Sequence, residues 1–244
     1  MALYKIRVSY DGTEYFGFQR QLNQRTIQGD LENALKKLGW AEKSIIASGR
    51  TDAGVHAEAQ MVTFELNWSH TEEAFQKALN SQLPKEISVR KVELAENNFH
   101  PRYHAKYRKY RYQIYNSSAP DPLLERYNWR VWPEVDLGLM NRAAEFLLGN
   151  NDFSAFGRPY KKEGRTRRIV ESANWERISE KRFHFTIRAN SFLYHMVRRI
   201  TFILVNAGQH KILMESIRES LNGIDNLPPG IAPAKGLFLE EIIY

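Results

Sequence analysis

Asp52 is the side chain whose surroundings most suggest chemistry. It stands in residues 48–57, SGRTDAGVHA, between Arg50 and Gly54. That run of small and polar residues has neither helical nor strand periodicity, so the backbone is expected to turn tightly there between two elements. Gly54 can supply a positive φ if the turn requires one. An aspartate carboxylate has an ordinary pKa of about 4 and is an anion at neutral pH. It can attack an electrophile without a helper base, whereas Ser, Thr and Lys must first lose a proton. A turn aspartate also has a purely structural use, accepting a backbone N–H as an Asx-turn. Taken alone, the ten residues fit that use well, and both readings stay open at this level.

Other chemistries fall away. The chain contains 0 Cys, which removes disulfides, thiolate zinc sites, iron–sulfur clusters and a Cys nucleophile together. His100 and His104 have helical spacing, but Pro101 lies between them and no neighbouring carboxylate completes a ligand set, so no metal is expected. There is no glycine-rich phosphate loop of the nucleoside-triphosphate or dinucleotide type. A glycosidase needs two facing carboxylates, and the acid nearest in sequence to Asp52, Glu58, lies beyond the turn. One carboxylate, one Arg and a basic, Tyr-rich surface remain.

The elements that must position this turn can be read on either side of it. Tyr4, Ile6, Val8 and Tyr10 alternate with Lys5, Arg7 and Ser9 as a strand that turns at Asp11 and Gly12. Ile27, Leu31, Ala34, Leu35 and Leu38 mark a helical face, with Thr26 as N-cap and Gly39 at the far end. Beyond the turn, Val62, Phe64 and Leu66 alternate as a strand, a helix around Phe75, Ala78 and Leu79 stops before Pro84, and a strand runs over 87–94. The first half thus reads β-α-β-α-β. Residues 97–102, NNFHPR, form a linker, which predicts domains over 1–104 and 105–244. The second half reads as strand 106–115, helix 136–148 ending at Gly149, strands 169–178 and 182–189, helices 193–207 and 213–221, and strand 237–243. Two related α+β halves are expected.

The charge balance points to a partner. Lys and Arg number 35 against 28 Asp and Glu, a formal charge of +7, which favours a polyanion and, among polyanions, nucleic acid. No apolar run approaches the roughly 18 residues of a membrane span, and the opening MALYKIRVSYDG alternates rather than forming a signal core, so a cytoplasmic protein is expected. Residues 102–115, RYHAKYRKYRYQIY, interleave five basic residues with five Tyr. Strand alternation places Arg108, Tyr110, Tyr112 and Ile114 on one face and Tyr107, Lys109, Arg111 and Tyr115 on the other. One face must pack; the other can meet phosphates or a stacked base, or be simply solvated. Residues 158–168, RPYKKEGRTRR, read as a mobile basic surface loop, whose Arg165, Arg167 and Arg168 suit a phosphate backbone better than base edges.

Residues 48–57 resemble the catalytic motif of the TruA family of tRNA pseudouridine synthases, and the resemblance runs nearly end to end. YDGTEYFGFQ at 10–19, TIQGDLENAL at 26–35, FHPRY at 99–103, YRY at 110–112, NDFSAF at 151–156, FLYHMVR at 192–198 and APAKGLFL at 232–239 follow in the family's order. The resemblance implies two RNA-recognition-like, ferredoxin-like α+β domains joined through a continuous, mainly antiparallel sheet with a central cleft, and a homodimer. It implies isomerisation of uridine to pseudouridine at positions 38, 39 and 40 of the tRNA anticodon stem-loop, with no cofactor and no metal. By position, Asp52 matches the nucleophile, Tyr110 the ring that stacks on the target uracil, and Arg198 the partner of the Asp. Arg50 matches the Arg that helps extrude the nucleotide, and Leu237 an apolar wall. Two residues depart from the family pattern: His104, where a small residue is usual, and Phe202, where Gly is common, which brings helix packing into question. The competing class is a non-catalytic RNA-binding module in which Asp52 only caps its turn.

Overall fold

The alternation at the start of the chain builds the first sheet. In a computed structural model, which describes residues 1–160, 163–224 and 226–244, strand β1 (Ala2–Tyr10) buries Tyr4, Ile6, Val8 and Tyr10 and leaves Arg7 exposed. Helix α1 (Ile27–Lys37) buries Ile27, Leu31, Ala34 and Leu35. The Thr26 hydroxyl caps it by accepting the Gly29 N–H at 3.2 Å, and Gly39, at φ +90°, carries the chain out past Leu38. Then come the short strand β2 (Ile46–Ala47), strand β3 (His56–Leu66), helix α2 (Glu72–Gln82) with Thr71 as its cap, and strand β4 (Ile87–Leu94). The strands lie in the order β4-β1-β3 with β2 on the outer side of β3, all antiparallel. This is the ferredoxin-like arrangement, in which the third strand inserts between the first two.

The second unit repeats the plan. Strand β5 (Tyr107–Asn116) is followed by the short helix α3 (Pro122–Glu125), strand β6 (Trp129–Val131), helix α4 (Leu137–Glu145) and strand β7 (Gly149–Asp152). Strands β8 (Arg167–Arg177) and β9 (Arg182–Ala189) then pair antiparallel, and helices α5 (Met196–Gly208) and α6 (Met214–Ser220) follow. The order is β5-β9-β8-β7, with β6 parallel to β5. Asp136 caps α4 by accepting the Leu139 N–H at 2.9 Å. Each unit also ties a helix to a strand through an Asn amide. Asn80 of α2 takes the Val89 N–H at 2.8 Å and gives to its carbonyl at 2.9 Å; Asn141 of α4 treats Trp175 of β8 in the same way, at 2.7 and 3.0 Å.

The last strand, β10 (Leu237–Ile243), returns to the first unit, where Phe238 and Leu239 pair parallel with His56 and Ala57 of β3. The compact units are therefore Met1–Lys106 with Phe238–Tyr244, and Tyr107–Leu237. The strand expected over 169–178 begins earlier, so Arg167 and Arg168 sit in β8, opposite Asp152 and Asn151, instead of in a loose loop. Lys161 and Lys162 of that basic stretch lie outside the described residues. No described helix is long and apolar enough to cross a membrane.

Candidate active site

Residues 48–55 connect β2 to β3, and the turn at Asp52 is closed by the backbone. The Val55 N–H donates to the Asp52 carbonyl at 3.2 Å, and Gly54 adopts φ +77°, the positive value that the third residue of a type II turn requires. The Gly54 N–H is the amide an Asx-turn on Asp52 would use, and it donates instead to the Tyr15 carbonyl at 3.2 Å. The backbone thus closes this turn with its own carbonyls. Asp52 is half-buried, Arg50 is exposed and Thr51 between them is buried.

Residues 10–19 form the cradle of this turn. The Phe18 N–H donates to the Thr51 carbonyl at 3.1 Å, and the Gly12 N–H donates to His56 Nδ1 at 3.1 Å. Gly12 has no room for a side chain, because a Cβ would stand 2.0 Å from the Val55 carbonyl oxygen. Gly17, at φ +93°, is also crowded, its Cβ position 2.7 Å from the Thr51 oxygen. From β3, Gln60 gives its amide to the Gly49 carbonyl at 3.0 Å and accepts the Ser48 hydroxyl at 2.5 Å. The His56 ring stacks on Phe238 at 4.6 Å.

In the second unit, Tyr110 lies mid-strand opposite Ile187, half-buried, with its ring edge-on to Phe192 at 5.0 Å. Tyr112, on the same face, is wholly buried and donates its hydroxyl to the Pro233 carbonyl at 2.6 Å. Burial pushes its phenol pKa well up, so this Tyr belongs to the core. Gly236 completes the fit, since a Cβ there would stand 2.7 Å from the Tyr112 ring. Arg198, in the first turn of α5, donates Nε to the Ala232 carbonyl at 2.8 Å, and the Ala232 N–H returns to the Arg198 carbonyl at 3.2 Å. Arg199 adds bonds to the Pro228 and Gly230 carbonyls at 2.5 and 2.8 Å. Residues 228–236 are thereby laced to the head of α5, immediately before the buried Leu237. Phe202 finds its room in the same segment. Its ring stacks parallel to Trp129 and covers Gly230, where a Cβ would stand 2.3 Å from the ring. With Gly230 beneath it, Phe202 replaces the usual small residue without a clash.

The basic residues divide by burial. Arg165 and Arg167 are exposed. Arg168 is half-buried and turns its guanidinium onto the Arg165 and Arg167 carbonyls at 2.8 and 2.7 Å; burial lowers its pKa. Among the described residues, no group of three or more His, Asp or Glu could hold a metal ion. The structure thus gathers Arg50 and Asp52 with the 10–19 cradle in one unit, and Arg198 with the segment leading to Leu237 in the other. Sequence reading missed Tyr10, Gly12, Gly17, Thr51 and Gln60. The paired glycines of YDGTEYFGFQ were the available signal, because two glycines so near a polar loop suggest a close backbone approach.

A chain with this pair of ferredoxin-like units and a backbone-closed aspartate turn on a basic protein has the make-up of an RNA-modifying enzyme. A family model described as tRNA pseudouridine synthase matches residues 6–104 and 143–244. The chain belongs to the tRNA pseudouridine synthase family, and is accordingly an isomerase that acts on uridine in tRNA. It is 37% identical to tRNA pseudouridine synthase A of Acetivibrio thermocellus over 241 residues, with 98% of each chain covered. It is 39% identical to the protein of that name from Thermoanaerobacter sp. over 240 residues, again 98% of each, and 36% identical to that of Listeria welshimeri over 247 residues and the whole of both. Membership removes the non-catalytic binding module. The matched segments include Arg50, Asp52, Arg198 and Leu237, while Tyr110 falls between them.

Proposed function

We propose that this protein converts uridine to pseudouridine at positions 38, 39 and 40 of the tRNA anticodon stem-loop, with Asp52 as nucleophile, acting in the cytoplasm as a homodimer. The observation that carries the reading is the Asp52 turn, whose Gly54 and Val55 amides are bonded to backbone carbonyls, so that the backbone itself closes the turn and presents Asp52 at its first corner. In the division of roles, domain 1–104 bears the nucleophile and domain 105–244 bears Tyr110, Arg198 and Leu237. A stem uridine hides C5, C6 and C1′ and must be flipped out, at a cost of a few kcal/mol that stacking on Tyr110 and insertion of Arg50 offset. Arg198 balances the charge of Asp52. Attack of the carboxylate at C1′ or C6, or removal of a ribose proton, lets the N1–C1′ bond break. The uracil turns, and C5 bonds to C1′ while the bond to Asp52 breaks or, on the third route, the ribose proton returns; the C5 proton then leaves to a base and N1 takes up a proton. There is no net change of oxidation state, so the reaction needs no redox cofactor.

Tyr110 is assigned the C5 proton as well as the stacking face. A Tyr110→Phe protein that turns over at the full rate removes the proton-acceptor role and leaves only stacking. Leu237 keeps water from the freed uracil. Arg165 and Arg167 are assigned to tRNA phosphates, while Arg168 bonds the backbone carbonyls of both and braces the start of β8. The deciding experiment is tritium release from C5-tritiated uridine in an anticodon-arm tRNA, comparing wild type with Asp52→Ala and measuring binding of both. Release by the wild type alone, with binding retained by the variant, is expected. Equal release by both would overturn the role of Asp52.

A further inference from the structure

We propose that Tyr10 is a positioning residue for the reaction, its hydroxyl fixing Asp52 through Thr51; this rests on Asp52 being the nucleophile. Tyr10 ends β1 and is 4% exposed. Its hydroxyl lies 2.8 Å from Thr51 Oγ1. Burial raises the Tyr10 phenol pKa, so the hydroxyl keeps its proton at neutral pH. Thr51 is held twice, by this hydroxyl on its side chain and by the Phe18 N–H on its carbonyl. From β3, Gln60 holds Ser48 and Gly49 of the same turn. Ser48 and Gly49 are therefore tied to β3 and Thr51 to the end of β1, on either side of Arg50 and next to Asp52.

Packing alone does not explain the hydroxyl. The Tyr10 ring rests against Phe18 at 6.2 Å, a contact that Phe would make equally well, and Phe would avoid burying a polar atom. A buried hydroxyl is retained at the residue before a nucleophile when it holds that residue in one geometry, and a shift of about 1 Å in a reacting group can cost about 100-fold in rate. Such a site needs supporting groups on rigid elements, and β1 and β3 are both inner strands, each paired on two sides.

The test compares Tyr10→Phe, Thr51→Val, Thr51→Ser and the Tyr10→Phe/Thr51→Val double variant by single-turnover tritium release, tRNA binding and thermal unfolding. The expected results are a rate lowered about 10- to 100-fold in Tyr10→Phe and Thr51→Val, tRNA affinity within about 2-fold of wild type, near-normal turnover in Thr51→Ser, and a double variant no slower than either single one. Normal rates in Tyr10→Phe and Thr51→Val overturn the inference, as do multiplicative losses in the double variant or a defect confined to binding. If Tyr10→Phe does not fold, the Thr51→Val and Thr51→Ser pair decides, since only the first removes the hydroxyl. Asp52→Asn is measured in parallel: turnover retained there refutes the nucleophile assignment, whereas normal turnover in Tyr10→Phe beside an inactive Asp52→Asn refutes only the inference about Tyr10.

Discussion

Gly12→Ala should disable this protein from a position whose side chain could never touch substrate. The new methyl would stand 2.0 Å from the Val55 carbonyl oxygen and 2.7 Å from its carbon, both backbone atoms three residues after Asp52. Ordinary van der Waals contact begins near 3.4 Å, so the two backbones must part by about 1.4 Å. Overpacking of this kind costs about 1–3 kcal/mol, and loss of the Gly12 N–H bond to His56 adds about 1 kcal/mol. At about 2–4 °C per kcal/mol for a chain of this size, the melting temperature should fall by about 4–16 °C. The displaced segment carries Asp52, so single-turnover tritium release at a temperature where the variant is folded should drop by about 100-fold. Gly39→Ala is the control. Gly39 has φ +90° but no atom within 4 Å of its Cβ position, so it should lose about 1–2 kcal/mol to backbone strain and keep its rate. A Gly12→Ala protein with wild-type turnover, or a Gly39→Ala protein equally impaired, would refute the idea that Gly12 is required by the approach of two backbones.

Two further outcomes are expected. Replacing Arg165 and Arg167 with Gln should weaken tRNA binding and lower the slope of log K against log salt by about 0.7–0.9 per lost phosphate contact, measured by filter binding across a salt series; an unchanged slope would assign these residues to bulk solvent. Lys235 and the Tyr115 hydroxyl hydrogen-bond Glu125 and hold its carboxyl below the ordinary carboxylate range. A lowered pKa stabilises the fold above the ordinary value near 4.5 and loses that contribution as pH falls through the folded value. Lys235→Ala should therefore flatten the acid limb of the stability curve, read as denaturant midpoints from neutral pH downward, and a limb parallel to wild type would count against it.

Much of the frame was legible because its signals are local. The alternation of Tyr4 to Tyr10, the Thr26 cap and the alternation of Phe183 to Ala189 each concern residues a few positions apart, and the structure has β1, α1 and β9 in those places. β2, β6 and β7 were not legible, being two to four residues long and too short to show a period. Residues 158–168 read as a mobile basic surface loop, yet Arg168 lies in β8 and is turned onto the Arg165 and Arg167 carbonyls. Formal charge carries no information on where a guanidinium points.

The sequence by itself determined that the chain is α+β, that it is basic and suited to nucleic acid, and that Asp52 stands in a tight polar turn; hydrophobic period, net charge and turn chemistry are properties of neighbouring residues and survive without a fold. Tertiary structure decided the rest. The Tyr10 hydroxyl against Thr51, Gly12 under Val55, Gly230 under Phe202 and the last strand paired with β3 join residues 28 to 182 positions apart. Contacts at that separation depend on how strands and helices stack, and stacking has no period in the chain from which it could be read.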